Sequence, residues 1–252
     1  MVQHDTDEHL SRIPTQWSLV FAAHGSDRTA ALEALVARYG GAIERYLAAL
    51  VRWYNIPPNE DLVGELCQQF YFKLTRGDLR NARPQQGQEG RFRFYVKTTL
   101  RNLVRDYARN LASRQKQAGP LPSDNQLPDS APCEGSEEPV FEEDWKRVML
   151  DEVWRTLQAR HPRLYAVLWM AMKEDLDAKA IAERLGERPD WVRQNKKRAR
   201  DKFAELLLLE ATQTLDSPTP EQLRDELGQL RLAGYYDDAA LEKAAKTLNR
   251  RR

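Results

Sequence analysis

Along residues 28–54 the apolar positions Leu32, Leu35, Val36, Tyr39, Ile43, Tyr46, Leu47 and Leu50 recur at three- and four-residue steps. That spacing predicts a long helix with one apolar face. Gly40-Gly41 lies midway along it, so the stretch reads as one long helix or as a pair kinked at the glycines. After the "NIPPNED" break a second helix is expected over 60–77, with Asn59 as a cap and Gly77 at its end. "DLRNARPQQGQEGR" is a loop by its Pro and Gly content. A third helix runs from about residue 91 to 112, with Val96, Leu100, Leu103, Tyr107 and Leu111 as its apolar stripe. Residues 1–13 carry no such pattern and are expected to be disordered.

Five prolines between 114 and 140 interrupt all periodicity and predict an extended linker. From Phe141 the helical period returns through Trp145, Val148, Met149, Val153, Trp154 and Leu157, until His161-Pro162 ends the segment. "RLYAVLWMAMKEDL" predicts a strongly apolar helix. The stretch 220–252 predicts a helical hairpin turning at "AGYYDD". No run of alternating strand residues occurs, so the fold class is all-α: two helical domains (15–113 and 141–212), a linker over 114–140 and a C-terminal extension over 213–252.

"DAKAIAERLGERPDWVRQNKKRAR" has a more specific pattern. A short helix turns Ile181, Ala182 and Leu185 inward, Gly186 permits a tight turn, and Pro189-Asp190 restart a helix over 190–205. Val192 and Ala199 point back towards the first helix. This is the layout of a helix-turn-helix, with Arg193, Gln194, Lys197, Arg198 and Arg200 on the outer face. Arg and Gln pair bidentately with base edges, and Lys and Arg neutralise phosphates. The alternative for this segment alone is a helical hairpin with a solvated basic face.

Charge sharpens the picture. The chain is nearly neutral, with 39 Lys/Arg against 38 Asp/Glu. Yet residues 83–117 carry Arg83, Arg91, Arg93, Lys97, Arg101, Arg105, Arg109, Arg114 and Lys116 against only Glu89 and Asp106. Residues 118–152 reverse the balance, and 188–202 turn basic again. Two basic patches separated by an acidic tether predict two contacts with a polyanion. On the third helix Lys97, Arg101, Arg105 and Arg109 recur every four residues beside the apolar stripe, a spacing at which like charges repel.

No catalytic constellation is present. His4, His9, His24 and His161 are scattered without metal-ligand spacing, and no Gly-rich phosphate loop occurs, so neither catalysis, metal nor cofactor is expected. The "EED" run at 142–144 reads as a solvated helix start. Cys67 and Cys133 do not make a disulfide framework, which favours a reduced, cytoplasmic setting. No apolar run approaches a membrane span, and the polar N-terminus is unlike a signal peptide.

With these segments in order, the chain resembles a bacterial RNA polymerase sigma factor of the sigma-70 family, in its two-domain extracytoplasmic-function variety. "ALEALVARYGGAIERYL", "ELCQQFYFKLTRGDL" and "GRFRFYVKTTLRNLVRDYAR" resemble consecutive parts of that family's region 2. "MLDEVWRTLQARHPRLYAVLWMAMKEDLDAKAIAERLGERPDWVRQNKKRARDKFAELL" resembles region 4, and "TQWSLVFAAHGSDRTAALEALVARY" is similar to a planctomycete-like subgroup. The resemblance implies a dissociable subunit with no catalysis of its own, whose partners are core RNA polymerase, promoter DNA and an anti-sigma factor or other regulator. It places Arg83, Arg91, Arg93, Lys97, Arg101, Asn102, Arg105 and Arg109 at the −10 element, where the strands separate, with loop 83–91 holding a flipped-out base. Phe92, Phe94 and Tyr95 supply aromatic surface there. The resemblance gives the helix-turn-helix the −35 duplex. It sets Glu65, Leu66, Gln68, Gln69, Phe70 and Leu74 against the polymerase clamp.

Three residues depart from the family pattern: Gln69 stands where an acid is usual, Lys196 where an apolar residue packs, and Trp191 where a smaller one sits. Gln69 and Lys196 favour a second reading, a sigma-fold DNA-binding or protein-interaction regulator that does not itself initiate transcription. The tail beyond about 215 has no counterpart in the minimal family and is open to three roles: capping the second domain, inhibiting DNA binding, or recruiting a regulator.

Overall fold

The computed structural model describes residues 28–57, 61–76, 92–117, 138–215 and 219–249. The N-terminal segment through Asp27, the 77–91 loop with Arg83 and Arg91, linker residues 118–137 with Cys133, and the last three residues lie outside them. The described residues form nine α-helices and no strand. In chain order they are α1 (Arg28–Trp53), α2 (Leu62–Arg76), α3 (Phe92–Gln117), α4 (Glu138–Arg160), α5 (Pro162–Met172), α6 (Ala178–Leu185), α7 (Pro189–Gln213), α8 (Pro220–Gln229) and α9 (Asp238–Asn249). They divide into two compact units, and the division falls between Trp145 and Lys146, inside α4. No helix among the described residues is long and apolar enough to cross a membrane.

In the first unit α1 is continuous through Gly40-Gly41. A Cβ on Gly40 would sit in ordinary van der Waals contact, 3.6 Å from the Tyr71 hydroxyl of α2. Helices α1, α2 and α3 pack on one another through Leu35, Ile43, Leu47, Leu66, Phe70, Leu74, Val96, Leu100 and Val104, all buried. The Cys67 thiol lies in this core, and burial, with Glu44 adding to it, raises its pKa to about 11. It is therefore a packed apolar group at neutral pH rather than a reactive thiol.

The start of α4 completes the same core. Phe141 and Trp145, four residues apart on one helical face, are fully buried. Trp145 stacks on Tyr39 at 4.6 Å between centroids, and Phe141 meets Tyr46 at the same distance. The sequence reading places Phe141 onward in the second domain, but residues 141–145 pack in the first unit. Helix α4 begins at Glu138, so Glu142, Glu143 and Asp144 lie past its first turn.

In the second unit the rest of α4 contributes Met149, Val153 and Leu157, with Trp154 edge-on to Tyr165 and Trp169 and tilted against Phe203. Pro162 starts α5 from the N1 position, where its missing N–H costs nothing. Helix α7 extends to Gln213, eight residues beyond the expected end at 205, because "FAELLLLEA" has a second surface to cover. Leu206, Leu207, Leu208 and Ala211 are buried with Leu223, Leu227, Leu230, Leu232 and Leu241, where α8 and α9 pack on α7. A reciprocal capping box between Thr219 and Gln222 starts α8, and Asp237 caps α9. Of the three roles open to the tail, this packing matches capping. Leu227→Ala should lower the stability of this unit by about 2–5 kcal/mol, read as a lower urea midpoint. An unchanged midpoint would mean that the tail folds independently of α7.

Candidate nucleic-acid interface

The α6–turn–α7 segment is built by local rules. Asp177 caps α6, its carboxylate accepting from the Ala180 N–H at 2.8 Å. Gly186 ends the helix in the left-handed region at φ 67°, which favours glycine. Pro189 opens α7 at N1. Val167, Ile181, Ala182 and Val192 form the buried cluster that sets α6 against α7, with Leu185 and Trp191 packed on it. Val192 and Ala199 are buried as expected.

Asn195 also turns inward, its side-chain amide donating to the Trp191 carbonyl at 2.9 Å. Lys196 is half-buried beside it. Arg193, Gln194, Lys197, Arg198 and Arg200 are all exposed. At about 100° per residue, Arg193, Lys197 and Arg200 share one strip, with Gln194 and Arg198 on its flank. Arg193 pairs with the exposed Asp190 three residues earlier, a contact that water and salt screen.

The cationic helix α3 differs from its expected form. Arg105 and Arg109 are exposed, and Arg101 and Asn102 are half-buried. Arg105 donates to the Asn102 side-chain oxygen at 2.8 Å. Arg93 and Lys97, however, are buried, at 0% and 5% relative exposure. Both meet Glu142: Arg93 pairs with one of its carboxylate oxygens, and the Lys97 ammonium lies 3.4 Å from the other.

The reason is geometric. A four-residue step overshoots a helical turn by about 40°, so cations spaced by four wind around the helix instead of tracking one line. Arg93 and Lys97 fall on the face that the start of α4 covers, whereas Arg105 and Arg109 have wound out to solvent. The aromatics divide likewise. Phe92 is core against Tyr39 and Trp145, while half-buried Phe94 has the Arg93 guanidinium 4.6 Å and the Lys97 ammonium 5.4 Å from its ring centre. Of the eight residues expected at the −10 element, four line the accessible part of α3, two are covered, and Arg83 and Arg91 lie outside the described residues.

No family model, curated protein or solved structure matches this chain.

The expected docking helix α2 needs correction. Leu66, Phe70 and Leu74 are buried at 0%, 2% and 0% and hold α2 to its neighbours, so they present nothing to a partner. Glu65, Gln68 and Gln69 are exposed. They share their face with Phe72, 55% exposed and under the Arg76 guanidinium at 5.0 Å, and with Arg76 itself. Positions 65, 68, 69, 72 and 76 follow the helical repeat, so the same periodicity that marks the core also marks the outer face.

Sequence reasoning missed Glu142 and Asp144. Neither is a solvated helix-start acid: Asp144 is buried and accepts from the Arg45 guanidinium at 2.8 Å. The available signal was the Phe141/Trp145 pair at a four-residue step around these acids, a face too apolar to be left in water.

Proposed function

We propose that the chain is an RNA polymerase sigma factor of the sigma-70 family, extracytoplasmic-function type. It binds core polymerase in the cytoplasm and directs promoter recognition and DNA melting. The observation that carries this reading is the capped α6, left-handed Gly186 and Pro-started α7, which together leave Arg193, Gln194, Lys197, Arg198 and Arg200 exposed. The accessible Arg101, Asn102, Arg105 and Arg109 on α3 add a second cationic surface in the other unit. Its chemistry suits a displaced single strand, with cations for phosphates. Mechanistically such a protein works by differential binding: it holds the −35 duplex through α7 and favours the separated −10 strand through α3.

The test is association with core RNA polymerase followed by run-off transcription from selected promoter DNA. Arg193→Ala and Arg198→Ala should each weaken −35 duplex binding, by about 1–3 kcal/mol and with relaxed sequence preference where a base is contacted. If neither changes duplex affinity, α7 does not read DNA.

One observation favours the second reading, a sigma-fold regulator that binds without initiating. Arg93 and Lys97 are already paired with Glu142 and buried, which shortens the accessible cationic track on α3. Binding to polymerase without run-off product would select it.

A further inference from the structure

Glu142 does to Arg93 and Lys97 what a phosphate would do. Its two carboxylate oxygens meet the two cations separately, as phosphate oxygens meet a basic pair. Around it the stretch is anchored twice: Phe141 and Trp145 fill the aromatic core with Tyr39, Tyr46 and Phe92, and Asp144 meets Arg45. This stretch packs with the first unit, yet it is continuous with a helix whose remainder belongs to the second.

We propose that residues 140–145 form an intramolecular lid on the cationic start of α3, with the Glu142 carboxylate standing where a nucleic-acid phosphate would bind. Arg93 and Lys97 then reach a single strand only when this stretch lifts away, and the free protein is held in a form with reduced affinity for nucleic acid. The proposal rests on α3 being the single-strand surface. It adds that the surface is regulated from within the chain, by an acid on the far side of the linker. Release of two further cations adds roughly 0.7 per phosphate to the slope of log affinity against log salt for single strands.

The experiment uses the full chain and short single-stranded oligothymidine. E142Q keeps the shape and an acceptor oxygen but removes the charge. It should bind about tenfold more tightly in dilute salt, with a steeper salt slope. The gain should vanish when Arg93→Gln and Lys97→Gln are added, in a variant whose circular dichroism and melting transition match those of E142Q. A folded E142Q with unchanged affinity and slope overturns the lid.

Hydrogen exchange on the wild-type chain supplies a readout independent of that variant's stability. Saturating oligothymidine should accelerate exchange of the 142–145 amides, and slowed or unchanged exchange also overturns the proposal. Failure of the underlying reading looks different: neither wild type nor E142Q would bind oligothymidine, or Arg101→Glu with Arg105→Glu would bind as well as wild type.

Discussion

Arg101→Glu combined with Arg105→Glu is expected to abolish permanganate-reactive open complex while leaving association with core polymerase intact. The two side chains lie on the part of α3 that the start of α4 leaves accessible, Arg105 fully and Arg101 at its margin. Neither belongs to the buried row of Val96, Leu100, Leu103 and Val104, so helicity and the melting transition should be retained. On the proposed function a melted strand along this helix needs its phosphates neutralised there, and reversing two charges replaces attraction by repulsion. The double variant in holoenzyme should therefore show a shallower salt dependence on single-stranded −10 DNA, by roughly 0.7 per lost phosphate contact. Normal open complex with an unchanged slope would reduce the row to a solvated face. Arg93 and Lys97 would be poor choices for this experiment, because both are buried against Glu142 and their removal also disturbs packing.

The second large effect separates the two faces of α2. Leu66→Asp or Phe70→Asp places a carboxylate in the core of the first unit, where both residues are shut away from solvent. Unpaired buried charge and lost packing together should cost upward of about 4 kcal/mol, a large part of an ordinary domain's stability of ~5–15 kcal/mol. Circular dichroism should report unfolding or a much lowered midpoint, and lost polymerase binding would then say nothing about docking. Phe72→Asp is the informative change. Phe72 is the largest apolar group on the outer face, and its substitution spares every buried contact of α2. The variant should stay folded and lose core polymerase in a pull-down. A folded Phe72→Asp that binds polymerase normally would remove α2 from the docking surface.

These experiments follow from what was and was not legible along the chain. The sequence by itself determined the all-α class, the order of its segments and the two helices α6 and α7 with the turn between them. Each of those depends on interactions within a few residues: apolar positions at helical spacing, the Asp177 cap, Gly186 at positive φ, and prolines at helix starts. The outward set on α7 was equally readable, since Val192 and Ala199 define the inner face and the rest follows by rotation.

Tertiary structure alone decided which residues of a given helix are covered by a distant segment. On α2 the periodicity separated two faces but did not say which one packs, so Leu66, Phe70 and Leu74 were set at a partner although they hold the core. On α3 a straight cationic row became a winding one, buried at its start by a helix some fifty residues further along the chain. The tail beyond 215 became the cover of α7, since a run such as Leu206–Leu208 demands apolar burial without naming its source. Periodicity is local, whereas the burial of a charge depends on a contact between residues far apart in the chain. Arg93 and Glu142 met only when Phe141 and Trp145 found Tyr39 and Tyr46.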